Sequence, residues 1–433
     1  MKKLIILSYY WPPAGGPGVQ RFLKFSKYLS SYGWHAIVIT PANGSYPYLD
    51  RSLNKDIPDD IEVVRTKTFE PFTLYNRLTG KKGKEVSVAM TGFKNSRSPV
   101  QRMAKYIRAN FFIPDARKGW IPYAVKAAEK ILALEPIDAI ISTGPPHSTH
   151  LAAWQLKQKF KLPWIADFRD PWTSVYYNRF FPRSDKSKRK DKALEDKVLN
   201  TADAVSVISP GLKEEFEDRA KRLEIIYNGY DQDDFKHLNH PIHKHFILAY
   251  VGNLKPNQNV SALWSALAAL KKSIPDFSNH FSLQITGLAD DRIKEDMKLA
   301  GISDLVKFYP FVQHHEAVQR MASADMLLFV IPDSEGNQLI LTGKIFEYLA
   351  TQRPMLSIGP ANGNAAEILQ TCGREAMISY EDKESMLKAI RTAYLRSHSP
   401  GYVPHKIENK AHERFSRKGM TEKLANLLND LTA

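Results

Sequence analysis

The sequence predicts an α/β protein built from two doubly wound domains, and three observations predict it. Short apolar runs alternate with helical patterns along almost the whole chain, the arrangement that gives a parallel sheet with helices on both faces. A chain of 433 residues is too long for one ordinary core. The alternation is interrupted once, by KHLNHPIHKHF at 236–246, which reads as a linker. The expected domains are therefore 1–240 and 241–433, with ligands expected in a cleft at the carboxyl ends of their strands.

The first unit is the most informative. An apolar run, Leu4 to Leu7, ends in a loop holding Pro12, Pro13, Gly15, Gly16, Pro17 and Gly18. A helix pattern follows, with Val19, Phe22, Leu23, Ser26 and Leu29 on one face and Arg21, Lys24 and Lys27 on the other. Gly33 falls where a helix C-cap belongs. Glycines in such a loop admit close approach of a ligand, and the first free N–H groups of the helix suit a phosphate or a sugar oxygen. A plain strand-to-helix turn also uses glycine, and the spacing is not that of a dinucleotide fingerprint.

Strands follow at 35–40 and 61–66, then a basic stretch, 71–118. Inside it Val100, Met103, Ala104, Ile107 and Phe111 form a helical stripe over 99–112, with Arg102, Lys105 and Arg108 opposite. Such a helix lies on a membrane surface or packs on the domain body; the pattern fits both. Helices at 123–134, 149–160, 187–199 and 211–219 then alternate with strands at 138–143, 163–168, 204–209 and 224–229. The second series has strands at 246–252, 281–287, 306–312, 325–331, 354–359 and 376–380. Its helices are expected at 259–274, 290–299, 315–322, 343–351, 364–371 and 383–396, before a helical tail from about 406 to 431.

Composition narrows the function. The chain carries a formal charge of +15, of which residues 1–240 hold +13 and residues 241–433 only +2. The excess sits in 71–118 and 179–192, which implies an anionic partner or a solvated basic face. A single cysteine, Cys372, leaves no internal disulfide framework and fits a reducing compartment. The N-terminal apolar stretch is too short for a secretory signal or a membrane span. A cytoplasmic location is the expectation.

Several polar residues stand where strands end. In STGPPHSTH (142–150), His147 precedes a helix and is placed to meet a substrate hydroxyl or to cap a turn. In ADFRDPWT (166–173), Asp167, Arg169 and Asp170 stand beside Trp172 at the end of a buried strand, suited to a polar ligand or to a structural Asp167–Arg169 pair. In the second domain Thr342 and Gly343 open a helix after an irregular loop, Lys344 adds a cation and Glu347 follows one turn on. A helix dipole disfavours lysine in its first turn, so Lys344 fits a docked anion such as a diphosphate. A bidentate carboxylate such as Glu347 suits a ribose diol. There is no histidine–cysteine cluster of the kind that holds a metal, and no cofactor is expected.

These segments carry a resemblance. GGPGVQRFLKFSKYL, YNGYDQDDF, YVGNL and KIFEYLATQRPML resemble the glycosyltransferases of family 4 across nearly the whole chain. IPDARKGW, STGPPHS and ADFRDPW resemble a bacterial branch of that family that assembles surface polysaccharides. The resemblance implies two Rossmann-like domains in the GT-B arrangement. It implies a nucleotide sugar bound mainly by the second domain and metal-independent transfer with retention. It assigns Gly16 and neighbouring amides to the donor diphosphate, and Glu347 to the second glutamate of an E-x7-E motif that holds the ribose. Two departures are visible. Leu339 stands where the first glutamate belongs, with Glu335 the nearest substitute. Asn253 and Gln258 stand near the positions of the family's Arg and Lys, which leaves Lys255 and Lys344 as the diphosphate ligands.

In a front-face retaining transfer the leaving phosphate takes the acceptor's proton, so no dedicated nucleophile is required. The site residues expected on this reading are His147, Asp170 and Lys344 for catalysis. Gly15, Gly16, Lys255, Glu335, Thr342, Gly343 and Glu347 are expected for the donor, and Asp167, Arg169 and Trp172 on the acceptor side. The acceptor would be a lipid-linked or cell-surface glycan met at the inner face of the membrane. Two other readings stand beside it. A nucleotide-sugar epimerase of the same architecture has no use for a basic amphipathic helix. A nucleic-acid-binding protein is suggested by charge alone, but the chain has no recognisable motif of that kind.

Overall fold

Leu4, Ile5, Ile6 and Leu7 are wholly buried, and the reason is the sheet they form. The computed structural model describes residues 1–46, 49–70, 99–236, 238, 243–402, 407 and 409–433. The basic run at 71–98 and the centre of the expected linker lie outside the described residues. The chain divides into two units, Met1–Asn228 with Arg417–Ala433, and Gly229–Ser416.

Among the described residues the first unit holds seven strands: β1 (Lys2–Ser8), β2 (Trp34–Pro41), β3 (Glu62–Thr66), β4 (Ala139–Gly144), β5 (Trp164–Phe168), β6 (Ala204–Val207) and β7 (Leu223–Ile225). Their order is β3-β2-β1-β4-β5-β6-β7. The pairings are parallel, with Ile5 facing Ile37 on one side and Ile140 on the other. All three side chains are fully buried, each worth about 1.5–3 kcal/mol of apolar burial. The order reverses between β1 and β4, so loops leaving those two strands flank the point where such sheets bind ligands.

The second unit holds β8 (Phe246–Val251), β9 (Phe281–Thr286), β10 (Val306–Tyr309), β11 (Met326–Val330) and β12 (Met355–Ile358), ordered β10-β9-β8-β11-β12. Here the reversal lies between β8 and β11. Phe246, Leu248, Tyr250, Leu283, Ile285 and Leu328 form the centre of its core. The segment AMISY is not a strand; it touches the sheet through a single bridge, Ile378 to Ile358.

The division differs from the expected one in two ways. The boundary falls at 228/229 instead of 240/241, and the tail returns to the first unit. Its helix, Arg417–Leu431, buries Met420, Leu424, Leu427 and Leu428 in the core of the first unit. Arg417 donates to the Gln20 carbonyl at 2.6 Å, and Trp34 Nε1 donates to Asn429 Oδ1 at 3.1 Å.

The basic amphipathic helix is Pro99–Phe111. Of its stripe, Met103, Ile107 and Phe111 are 60%, 42% and 65% exposed. The cations Lys105 and Arg108 lie over the Phe181 ring, each 5.9 Å from its centroid. Asn110 fastens the helix by donating to Pro182 O and accepting from Ser184 N, both at 2.8 Å.

Candidate functional site

In the first unit Arg169 ties the loop after β5 to the loop after β4 and lies against the start of the helix that follows β1. Its Nε donates to the Gly144 carbonyl at 3.1 Å, and Nη2 donates to the Pro145 carbonyl. Its Nη1 lies over Gly18, where a Cβ would come within 1.8 Å of it. A side chain at Gly18 would have to displace a guanidinium that two carbonyls hold in place. Burial lowers the Arg169 pKa from its ordinary range. Asp170 stays exposed beside it, and the surrounding protein raises its carboxyl against the pull of Arg169.

Three residues expected to face substrate are placed otherwise. Asp167 is 1% exposed and its carboxylate is taken by the fold: it accepts from Arg21 Nη2 at 2.7 Å, Thr143 Oγ1 at 2.9 Å and Ser206 Oγ at 2.8 Å. Its partner is thus Arg21, fully buried on the helix Pro17–Leu29, and not Arg169. Trp172 is buried, with Nε1 donating to Asp191 at 2.8 Å. His147 is buried flat against Trp172, ring centroids 4.8 Å apart and planes at 5°. Burial lowers its pKa to about 3, so the ring is neutral at pH 7. The fold itself satisfies Asp167 and Trp172, whereas His147 is packed inward with its Nδ1 buried and without a hydrogen-bond partner. Gly15 and Gly16 precede the helix Pro17–Leu29, which has Gly16 as N-cap and no side-chain capping bond.

In the second unit the reversal between β8 and β11 places Lys344 beside the end of β8. Its Nζ lies 3.9 Å from the centroid of the Tyr250 ring. Gly252 has φ +129°, which strains any side chain there, and a Cβ would come within 2.7 Å of Nζ, so the lysine would have to shift. Burial lowers the Lys344 pKa from 10.5 to about 7; Glu347 opposes that shift and Lys255 adds to it. A lysine desolvated against a ring face is a cation in want of a counter-charge.

Glu347 sits in the helix Lys344–Ala350 with its side chain 26% exposed. Thr342 and Gly343 are half-buried just before it. Lys255 is exposed, and Glu335 is exposed in the loop after β11. Leu339 is 49% exposed in the turn Asn337–Leu339. The two amides that replace family cations connect loops. Asn253 Oδ1 accepts from Leu288 N at 3.2 Å; Gln258 is buried, accepting from Lys255 N at 3.1 Å and donating to Val330 O at 2.8 Å. Sequence reasoning missed Arg21, hidden in an apparently solvent-facing run, and His314, discussed below.

The two parallel sheets, doubly wound about separate cores, are the two Rossmann-like domains of the GT-B fold. Residues 72–234 match the family model for Glycosyltransferase Family 4, which bears out the family resemblance over that stretch. No curated protein matches the chain. Solved structures similar to it include sucrose-phosphate synthase from Thermosynechococcus elongatus, at TM-score 0.60 and 16% identity over 100% of this chain and 99% of that one. HepE of Anabaena in complex with UDP-glucose is similar at TM-score 0.60 and 14% identity, over 99% of this chain and 100% of that one. WaaG, a glycosyltransferase involved in lipopolysaccharide biosynthesis, is similar at TM-score 0.51 and 13% identity, over 98% and 99%.

Proposed function

We propose that the chain is a metal-independent, retaining glycosyltransferase. It takes a sugar from a nucleotide-sugar donor held by the second unit and passes it to a lipid-linked or cell-surface glycan at the inner face of the membrane. The observation that carries the reading is Lys344: a lysine desolvated against Tyr250 and Gly252, at the reversal point of the sheet, with Glu347 one turn further on. That set offers a cation to a diphosphate and a carboxylate to a ribose diol. HepE, of similar fold, is described in complex with UDP-glucose, which supports the donor class.

On this reading charge develops on the departing diphosphate, and Lys344, with Lys255 as the exposed second cation, stabilises it. Gly15, Gly16 and the amides opening the helix after them would serve a phosphate or sugar oxygen, and Arg169 would hold their loop in shape. Asp170 is the remaining acceptor-side carboxylate. The exposed apolar stripe Met103, Ile107 and Phe111 favours a transferase working at a lipid surface over an epimerase, which needs only the donor. Among the described residues no helix is long and apolar enough to cross a membrane, so attachment through this stripe would be peripheral.

The test is product formation. The protein is incubated with EDTA, single nucleotide sugars and lipid-linked glycan acceptors, and the anomeric configuration of any product is read by NMR. A product retaining the donor's configuration supports the reading. Conversion of the donor sugar without acceptor would support an epimerase instead.

A further inference from the structure

Glu347 does not stand alone. The ring of His314 lies between two carboxylates, with Nε2 3.1 Å from Asp234 Oδ2 and Nδ1 4.0 Å from Glu347 Oε1. Three separate elements meet there: the turn Gln232–Phe235, the first residue of the helix His314–Ser323, and the helix Lys344–Ala350. All three side chains are between 23% and 30% exposed, enough shielding for charge to matter and enough opening for a ligand to reach.

The chemistry of the ring is constrained by its neighbours. A neutral imidazole that donates from Nε2 to Asp234 turns the lone pair of Nδ1 toward the Glu347 carboxylate, which is repulsive. An imidazolium donates to Asp234 and turns a positive N–H toward Glu347 at ion-pair distance. The first turn of a helix disfavours a cation, so His314 occupies that place against the helix dipole and is compensated by the two carboxylates. Glu347 thus lies at ion-pair distance from His314 and within electrostatic reach of Lys344.

We propose that His314 is a positioning residue for the ribose site: anchored by Asp234, it fixes the carboxylate of Glu347 in the orientation that receives the two ribose hydroxyls. The inference rests on the reading of Glu347 as the ribose ligand. It adds a residue that touches no substrate and acts on recognition of the diol alone.

The experiment separates the two claims. Among UDP, GDP, ADP and CDP, the nucleotide that most raises the melting temperature of the full chain is chosen. Its Kd and that of its 2′,3′-dideoxy counterpart are measured by calorimetry for the parent, His314→Gln, His314→Ala, Glu347→Gln and the His314→Ala/Glu347→Gln double variant. The ratio of the two affinities reports diol recognition. Glu347→Gln should lower that ratio about tenfold or more, the loss of charge-assisted bonds to the diol. Each His314 variant should lower it about threefold or more with the dideoxy affinity nearly unchanged, and the double variant should be no worse than Glu347→Gln, as expected of residues acting as one unit. If Glu347→Gln lowers the ratio and both His314 variants leave it intact, the positioning role is overturned and the ribose reading stands. The inference is also overturned if His314 variants weaken both nucleotides equally, because that is loss of structure. If Glu347→Gln leaves the ratio unchanged, the ribose reading and this inference fall together.

Discussion

Binding of the donor should take up a proton at Lys344. The ammonium lies against the Tyr250 ring and Gly252, and its pKa is lowered from 10.5 to about 7 by burial. At pH 7 about half of the lysines are neutral; a bound diphosphate restores the charge, so about half a proton is taken up per nucleotide bound. Above pH 7 the affinity should fall toward tenfold per pH unit, about 1.4 kcal/mol each. Below pH 6 it should be flat. A nucleotide sugar is the right ligand, because its diester phosphates do not titrate in this range. Calorimetry in two buffers of different ionisation enthalpy between pH 6.5 and 8.5 reads the uptake directly, and Lys344→Met should abolish it. The sign for folding runs the other way. The unfolded chain holds this proton up to the ordinary 10.5 and the folded chain releases it near 7, so stability without ligand rises with pH across that window. Lys344→Met should therefore melt higher than the parent at pH 7. A pH-independent affinity between 6.5 and 8.5, or a pH slope that survives in Lys344→Met, would refute the reasoning.

Replacing Met103, Ile107 and Phe111 together by serine should release the protein from anionic liposomes while the melting temperature is kept, because these side chains are exposed already; unchanged sedimentation with vesicles contradicts the docking role. Asp167→Asn leaves Arg21 buried without its counter-charge and should cost about 3–5 kcal/mol in denaturant unfolding. A loss under about 1 kcal/mol would return Asp167 to the list of ligand-facing residues. Gly252→Ala should weaken nucleotide binding, since its Cβ would press within 2.7 Å of Lys344 Nζ at φ +129°; unaltered affinity in calorimetry would show that the lysine is free to move aside.

The alternation of strands and helices was legible because buried parallel strands are short apolar runs separated by helical patterns. Loop positions at strand ends followed from it, which is how Lys344 and Glu347 were found. What failed depended on contacts distant in sequence. The charged face read on the first helix holds Arg21 and Lys24, yet both are buried, paired with Asp167 and Asp56. Periodicity marks such residues as solvent-facing; only the three-dimensional partner shows otherwise. The signal available was Asp167 itself, a carboxylate inside an apolar strand, which demands a buried cation from somewhere. His147 misled in the same way: a polar residue at a strand end, turned inward onto Trp172. The tail was read as helical correctly, but its stripe of Met420, Leu424, Leu427 and Leu428 does not say which core it completes. His314 carried no pattern at all, since its meaning lies in Asp234 and Glu347 together.

The central claim is that the second unit binds a nucleotide sugar through Lys344 and Glu347. Its most direct test is a thermal shift of the full chain against a panel of nucleoside diphosphates and nucleotide sugars. At a hundred times Kd a ligand adds about 2.7 kcal/mol, a rise of about 5–10 °C for a unit of this size. The account predicts such a rise for one nucleotide and its sugar, and its loss in the Lys344→Met/Glu347→Gln double variant. A panel in which no nucleotide moves the melting temperature, or a shift that survives both substitutions, contradicts it.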